Sequence, residues 1–224
     1  MKLIDIVLLN EEEELWELEL TEDYPVGFDI NEFKNIWSYA GKMRFAKEHL
    51  DKPIGNGSAR VVYRVDENKV LKLAKNKKGK AQNEAEGQWY QESYYDDIIA
   101  NVIDYDFEEH LWVEMELAIR AKRPDFKRLW GINFDDLFFY LKKRYFENHG
   151  RKSMFHIDDE TVKELEEIDE VNHLVSFMYD SSAPDGDLSK LNSWGLVKRS
   201  DGEYLVLIDF GLNEEVFKTY YGVK

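Results

Sequence analysis

Apolar segments in the first half of the chain predict short strands. Four of them lie at 60–65, 69–74, 100–105 and 111–118. The polar run Asp66-Glu67-Asn68 predicts a turn between the first two. A further strand with a glycine-containing turn is predicted at 53–59, so that we expect five strands in all.

Two helices are predicted in the same half. Apolar residues recur at near-helical spacing over 29–50, with Asn31 as the N-cap, and this helix is expected to pack on the strands that follow. A charged segment over 80–95 predicts the second helix. Residues 1–28 contain an acidic run and a segment at 15–20 whose alternation with period two suits a strand, and we interpret them as an N-terminal extension.

The second half is predicted to be mainly helical and to end in a hairpin. One helix is expected to begin near Ile132 and to end at His149–Gly150. An apolar stripe from Val162 to Met178, capped by Asp158 or Asp159, predicts one further continuous helix. Two short apolar runs then flank Asp201–Gly202, a dipeptide typical of hairpin turns.

Composition indicates a packed protein and excludes several kinds of site. The 43% hydrophobic and 14% aromatic content is enough for a core. A net charge of −16 argues against nucleic acid or an anionic membrane as the main partner. The chain has no cysteine, which excludes disulfides, thiolate zinc sites and cysteine nucleophiles. No signal-peptide or membrane-spanning pattern occurs, so a cytoplasmic location is expected.

Polar side chains are concentrated around the predicted hairpin. Asp187 and Asn192 precede it on one loop, and Asp209 follows its second strand. The hairpin is therefore expected to bring Asn192 and Asp209 together. Mg²⁺ takes few protein oxygen ligands and completes its shell with phosphate and water, so one amide and one carboxylate suffice. Phosphoryl transfer needs such a metal site and a carboxylate that faces the nucleophile.

Two further features have both a chemical and a purely structural interpretation. Lys72 lies within an apolar strand, where an unpaired charge is costly, so it needs an anionic partner unless its side chain faces solvent. Gly55 and Gly57, followed by Ser58, allow a backbone to approach phosphates closely, but the same residues also suit a plain hairpin.

These motifs, in this order, resemble the protein-kinase-like superfamily. The matching elements are the glycine turn at Gly55 and Gly57, Lys72, Glu86, the pair Asp187 and Asn192, and Asp209-Phe210-Gly211. The match spans about 53–211, and the sequence around the hairpin resembles small kinase-like proteins of bacteriophages and bacteria. On this resemblance Glu86 is the expected partner of Lys72, with Glu84 as the alternative, because the two glutamates cannot share a helix face.

The resemblance implies an α+β fold of the bilobal protein-kinase-like type. Residues 53–118 are expected to form a small lobe, with an antiparallel five-stranded sheet and a helix equivalent to the kinase C helix. Residues 119–224 are expected to form a reduced helical large lobe that ends soon after the Asp-Phe-Gly motif. Residues 1–52 become an N-terminal extension and a packing helix.

The same resemblance implies an ATP- and Mg²⁺-dependent phosphotransferase whose acceptor the sequence does not identify. The catalytic residues are then Asp187, Lys72 and Glu86. The nucleotide-binding residues are Gly55, Gly57, Ser58 and Lys72, with backbone groups of Glu116 and Ala118 at the adenine. The metal ligands are Asn192 and Asp209.

Departures from the family pattern keep other functions open. Arg60 replaces the third glycine, Asp185–Gly186 replaces a His-Arg pair, and Ser189 replaces a phosphate-contacting residue. Only thirteen residues follow Gly211. A nucleotide-binding pseudokinase, a nucleotidyltransferase that uses the reversed nucleotide, and an acidic module that binds a host protein's basic surface are the alternatives. The partners expected are a nucleotide and, in some of these readings, a protein.

Overall fold

A computed structural model describes residue 25 and residues 27–184 and 188–222 of the chain. The chain divides into two compact units, Met1–Gln91 with Asn101–Leu117, and Glu92–Ala100 with Ala118–Lys224. The segment interpreted as an N-terminal extension lies largely outside the described residues. The lobe boundaries at residues 52 and 118 remain predictions.

The first unit is built on a five-stranded antiparallel sheet. Its strands are β1 (Gly55–Asn56), β2 (Arg60–Arg64), β3 (Lys69–Ala74), β4 (Val102–Tyr105) and β5 (Trp112–Glu116). They lie in the order β1-β2-β3-β5-β4, and every neighbouring pair is antiparallel. The five expected strands are present, and the last two are shorter than the sequence pattern suggested.

Two helices cover one face of this sheet, where the sequence predicted one. α1 (Ile30–Asn35) is capped by Asp29, which accepts hydrogen bonds from the Asn31 and Glu32 amides, so that Asn31 is not the cap. α2 (Tyr39–His49) has its own cap, Ser38. The Ser38 side chain accepts a hydrogen bond from the Gly41 amide at 3.1 Å. A serine that bonds the backbone in this way favours a helix start over a helix interior, which explains the break.

The packing of these helices on the sheet agrees with the expectation from their apolar spacing. Their inward side chains and those of alternate strand positions form one core. Its members are Phe28, Phe33, Phe45, Ala46, Leu50, Val61, Tyr63, Val65, Leu71, Leu73, Leu111 and Trp112. Because side chains alternate along a strand, the residues between these core positions face the other side of the sheet.

The other side of the sheet is contacted by α3 (Lys77–Gly87). The sequence pattern suggested a helix over 80–95. The helix begins earlier because the Asn76 side chain accepts a hydrogen bond from the Gly79 amide at 3.2 Å. It ends at Gly87, whose missing side chain allows close contact with Tyr105: a Cβ there would lie 2.3 Å from the Tyr105 ring. Glycine is a poor residue for a helix interior, which is consistent with an end at this position.

The second unit combines helices with a three-stranded antiparallel sheet. Its helices are α4 (Arg123–Trp130), α5 (Phe134–Asn148), α6 (Asp159–Glu166), α7 (Asp169–Asp180) and α8 (Glu214–Tyr220). Its strands are β6 (Ile119–Arg120), β7 (Trp194–Arg199) and β8 (Gly202–Leu207), in that order across the sheet. Within the described residues, no helix has the length and apolar character needed to cross a membrane.

The apolar stripe that predicted one long helix is divided between α6 and α7. Asp158 caps α6 as expected, and its carboxylate accepts a hydrogen bond from the Thr161 amide at 2.9 Å. The Asn172 side chain of α7 donates to the Glu166 carbonyl at 2.9 Å, which satisfies the end of α6. Asp169 and Glu170 lie in the first turn of α7, where the helix dipole favours acidic residues.

The predicted hairpin is present, but its turn lies one residue earlier than the expected Asp201–Gly202, because Gly202 is paired with Arg199. β7 pairs with β8 from Trp194 opposite Leu207 to Arg199 opposite Gly202, which leaves Ser200–Asp201 at the turn. Trp194 is fully buried, and its ring lies 5.4 Å from Phe126 and 5.4 Å from Trp130. This aromatic cluster fixes the start of β7 against α4.

Candidate active site

Lys72 and Glu86 form a buried ion pair in the first unit. The Lys72 Nζ lies 3.0 Å from Glu86 Oε1 and 3.1 Å from Oε2. Both residues are buried, with 3% and 0% of their surface exposed. The alternative, Glu84, has a side chain that is 56% exposed and approaches His110 at 3.8 Å. The pairing expected from the sequence is therefore the one that forms, while the catalytic role of the two residues remains a prediction.

A second cation, Arg60, binds the same carboxylate. Its guanidinium lies 2.6 Å from Glu86 Oε2, and Arg60 is 3% exposed. In the β2–β3 register Val62 lies opposite Lys72 and Arg60 opposite Ala74, so that Arg60 and Lys72 share the α3 face of the sheet. Reasoning from the sequence treated Arg60 only as a missing glycine and overlooked this contact.

The charges around Glu86 keep its carboxylate ionised. Burial on its own raises the pKa of Glu86. The charges of Arg60 and Lys72 and their hydrogen bonds lower the pKa by more than burial raises it, so that it lies below its usual value. Opposite charges at this distance are the ordinary cause of a depressed carboxyl pKa. Glu86 therefore remains the anion that holds both cations at neutral pH.

The glycine turn is closed by backbone and side-chain hydrogen bonds. The Gly57 amide donates to the Arg60 carbonyl at 2.9 Å, which puts Ser58 and Ala59 at the tip. Lys75 Nζ donates to the Gly57 carbonyl at 2.6 Å, and Lys78 Nζ donates to Ser58 Oγ at 3.2 Å. Two lysines therefore lie at a turn that the sequence assigned to phosphate binding.

Close packing at this turn requires a glycine in α3. A Cβ on Gly79 would lie 2.2 Å from the Ala59 carbonyl oxygen, so a larger residue would push the turn away from the helix. Gly55 and Gly57, by contrast, have φ values outside the left-handed region. The predicted use of these two glycines in phosphate binding therefore depends on their small size and not on an unusual backbone conformation.

The two residues assigned to the adenine belong to different units. Glu116 ends β5, and its amide donates to the Asn101 carbonyl at 2.9 Å, so this amide is already used. Ala118 is buried in the second unit, where a Cβ on Gly195 would lie 2.6 Å from the Ala118 side chain. The roles of the Glu116 carbonyl and of Ala118 in nucleotide binding stay predictions.

In the second unit the hairpin brings Asn192 and Asp209 to one end of the β7–β8 pair. The pairing of Trp194 with Leu207 is followed by a hydrogen bond of 2.8 Å from the Ile208 amide to the Ser193 carbonyl. Asn192 lies just before this bond in a 3₁₀ turn, Leu191–Ser193, and Asp209, which is half-buried, lies just after it. The two residues predicted as metal ligands thus lie at the open end of one hairpin.

The residue after Asp209 anchors this end of the hairpin. Phe210 is 3% exposed and packs edge-on against Phe177 of α7, with ring centroids 5.9 Å apart. On the other strand, the Trp194 indole donates to the Leu188 carbonyl at 2.8 Å. Burial on both sides fixes the backbone that carries Asn192 and Asp209.

The donor atoms at the hairpin only partly fit a magnesium site. The Asp209 carboxylate is a suitable ligand, but Asn192 Oδ1 accepts a hydrogen bond from the Arg120 guanidinium. An amide oxygen has two lone pairs, and the Arg120 hydrogen bond occupies one of them. No group of three or more His, Asp or Glu side chains suited to a metal occurs in the described part of the chain.

The proposed base, Asp187, lies outside the described residues, as does Asp185–Gly186 before it. The next two residues are both buried, Leu188 with 1% and Ser189 with 4% of its surface exposed. Ser189, predicted to stand in place of a phosphate-contacting residue, is therefore a buried side chain.

Comparison with known proteins adds little to this geometry. No protein-family model and no curated protein matches the sequence. Among solved structures, a ternary complex of APH(2″)-IIa with streptomycin and ATP matches with 13% identity over 77% of this chain and 70% of that chain, with a TM-score of 0.33. At that TM-score the two structures share too little for fold or function to be transferred.

Proposed function

We propose that this protein is an ATP- and Mg²⁺-dependent phosphotransferase of the protein-kinase-like type. The observation that carries the proposal is the buried Lys72–Glu86 pair, on a strand and a helix that both adjoin a glycine turn. A buried ion pair often stabilises a core less than apolar side chains of similar volume would. Its presence therefore favours a functional use of the lysine. An ammonium held in this way suits the phosphates of a nucleotide.

The hairpin of the second unit supports the same proposal. Asn192 and Asp209 supply an amide and a carboxylate at one end of the hairpin, which is a donor set that Mg²⁺ accepts together with phosphate oxygens. The metal, when bound, neutralises charge on the phosphates. A metal at Asn192 Oδ1 would share this oxygen with the Arg120 guanidinium or displace it.

In this proposal each side chain has one task. Lys72, held by Glu86, binds phosphate oxygens. Asp187 positions the acceptor and receives its proton, as the sequence motif implies. Gly55, Gly57 and Ser58 leave room for phosphates beside the turn.

A pseudokinase that binds ATP without transfer is the second candidate. Two observations favour it: Arg120 already contacts Asn192 Oδ1, and Ser189, a buried residue without charge, replaces a phosphate-contacting side chain. Nucleotidyl transfer is a third outcome, since the same residues act on a reversed nucleotide.

One experiment separates these functions. The protein is incubated with Mg²⁺ and ATP labelled at the γ-phosphate or at the α-phosphate, alone and with cell lysate. We expect label from the γ-phosphate to reach an acceptor. Transfer from the α-phosphate would instead identify a nucleotidyltransferase, and binding without any transfer would identify a pseudokinase.

Mg²⁺-ATP is expected to raise the melting temperature of the protein. A ligand that binds only the folded state stabilises it by mass action, by about 2.7 kcal/mol at a hundred times its Kd. The measurement is thermal unfolding with millimolar Mg²⁺-ATP, with Mg²⁺ alone as the control. An unchanged melting temperature would contradict both the phosphotransferase and the pseudokinase proposals.

Asp209→Asn and Asp187→Asn are expected to have different effects. The first removes the anionic metal ligand and should weaken Mg²⁺-dependent nucleotide binding, because an amide is a poorer ligand than a carboxylate. The second should leave binding nearly intact and abolish transfer. Titration of each variant with ATP, with and without Mg²⁺, checks this, and an equal loss of binding in both variants would refute the division of roles.

A further inference from the structure

Arg60 is a buried cation that shares one carboxylate with Lys72. Its guanidinium lies 2.6 Å from Glu86 Oε2, while the Lys72 ammonium lies 3.0 Å from Oε1. We propose that Arg60 is a positioning residue, which holds Glu86, and through it Lys72, in place before any nucleotide binds. The inference rests on the proposed function only for the task that Lys72 performs.

The buried charge of Glu86 needs a cation beside it at all times. Glu86 is fully buried, and a buried carboxylate that loses its only cation is left at a high cost in free energy. With Lys72 as the only partner, any movement of the ammonium toward a phosphate would leave Glu86 in that condition. Because Arg60 remains on Oε2, Lys72 can turn toward a ligand while Glu86 stays ionised and fixed.

The position of Arg60 along the chain links the glycine turn with α3. It follows the glycine turn directly, and its carbonyl accepts the hydrogen bond from the Gly57 amide that closes the turn. Its side chain reaches α3, so one residue connects the turn with the helix that carries Glu86. The orientation of the turn and the position of the carboxylate are therefore coupled through Arg60.

Polar side chains of α3 hold the helix on two sides. Asn83 contacts the Arg60 guanidinium at 3.5 Å. The Asn83 side chain also donates to the His110 carbonyl at 3.0 Å, and Lys80 pairs with Glu109 at 2.7 Å. α3 is thus held to β2 through Arg60 and to the loop before β5 through Asn83 and Lys80.

Hydrogen exchange of the ligand-free protein tests the positioning. Arg60→Met should raise the exchange rate of the α3 amides, Lys77–Gly87, by about tenfold, since the helix loses its charged contact with β2. Arg64→Met is the matched control: Arg64 lies on the same strand, but its guanidinium donates to the Asp66 carbonyl and not to α3. Equal exchange in α3 for the two variants would overturn the inference.

Nucleotide kinetics then test whether the positioning serves the reaction. Arg60→Met should lower kcat by about a hundredfold, the size of effect that a small misplacement of a reacting group produces. It should change the Kd of ATP much less, and Arg60→Lys should restore part of kcat. A variant that is less stable but has an unchanged kcat would show a purely structural residue and overturn the inference, while the proposed function would stand.

The proposed function and the positioning role of Arg60 can be refuted independently of each other. If the wild-type protein neither binds nor uses ATP, the proposed function is wrong, and hydrogen exchange alone then decides whether Arg60 positions Glu86. If the wild-type protein transfers phosphate and Arg60→Met exchanges like the control, only the role of Arg60 is wrong.

Discussion

Lys72→Met is expected to reduce phosphoryl transfer by about a hundred- to a thousandfold. A preorganised cation aimed at a charged transferring group typically contributes about 3–4 kcal/mol to the transition state, which corresponds to that loss in rate. The ammonium of Lys72 is 3.0 Å from Glu86 and cannot be replaced by Arg60, because the Arg60 guanidinium is already bound to the same carboxylate. The measurement is release of the γ-phosphoryl group from labelled ATP to water or to an acceptor in lysate.

The same variant is expected to stay folded, and the structure gives the reason. Removal of one partner from an isolated buried pair usually costs about 3–5 kcal/mol, because the other charge is left alone. Here Glu86 keeps Arg60, so the loss in Lys72→Met should be smaller. Lys69→Met is the matched control, since Lys69 lies on the same strand but on its opposite face. Equal activity in the two variants would contradict the role of Lys72.

The sequence predicted the strands well because their pattern is local. Apolar runs mark the short strands, and the sequence predicted all five of the first unit. The β7–β8 hairpin was also predicted, but its turn is Ser200–Asp201 and not Asp201–Gly202. Counting outward from the predicted turn would place Asn192 opposite Gly211, so the sequence brought the candidate metal ligands to one end of the hairpin but did not set their alignment.

Helix boundaries were less predictable because single polar side chains decide them. Ser38 begins a new helix inside a stripe that continues across it, and the Asn172 side chain satisfies the end of α6 at the break before α7. Hydrophobic periodicity does not reveal such caps, because the apolar positions on either side of the cap keep the same helical spacing.

Arg60 could not be assigned from the sequence because its partner is distant along the chain. Twenty-six positions separate it from Glu86. A usable signal does exist: alternation puts Arg60, Val62 and, across the register, Lys72 on one face of the sheet. An arginine on a buried face needs an anion, and the glutamate expected for Lys72 was within reach of both.

Arg120 was overlooked for a different reason. It lies on β6, a strand of two residues that no sequence pattern predicts. β6 pairs with β7 next to the loop that carries the candidate metal ligands. Its effect on Asn192 depends on side-chain geometry that neither composition nor spacing contains. The metal site is therefore the part of the candidate site for which sequence reasoning was least complete.

Glu86→Ala is expected to be the most destabilising substitution in the first unit. It leaves the guanidinium of Arg60 and the ammonium of Lys72 buried without the carboxylate that both contact. Loss of one member of a buried charged group costs about 3–5 kcal/mol, or about 6–20 °C in melting temperature for a chain of this size. Glu84→Ala, two residues away on the exposed face, is the control and should change stability by less than about 0.5 kcal/mol.

The pH dependence of this effect provides a second test. The pKa of Glu86 is depressed in the folded protein, because its two cations outweigh the effect of burial, so its contribution to stability is present above the unfolded-state pKa, which is near 4.5. As the pH falls toward the folded pKa, the wild-type protein loses this contribution, and Glu86→Ala has none to lose. The difference in unfolding free energy between the two proteins, measured by urea denaturation, should therefore be largest at neutral pH and shrink below pH 4.5. A difference that stayed constant through the acidic range would mean that the charge of Glu86, and hence its hold on Arg60 and Lys72, does not stabilise the fold.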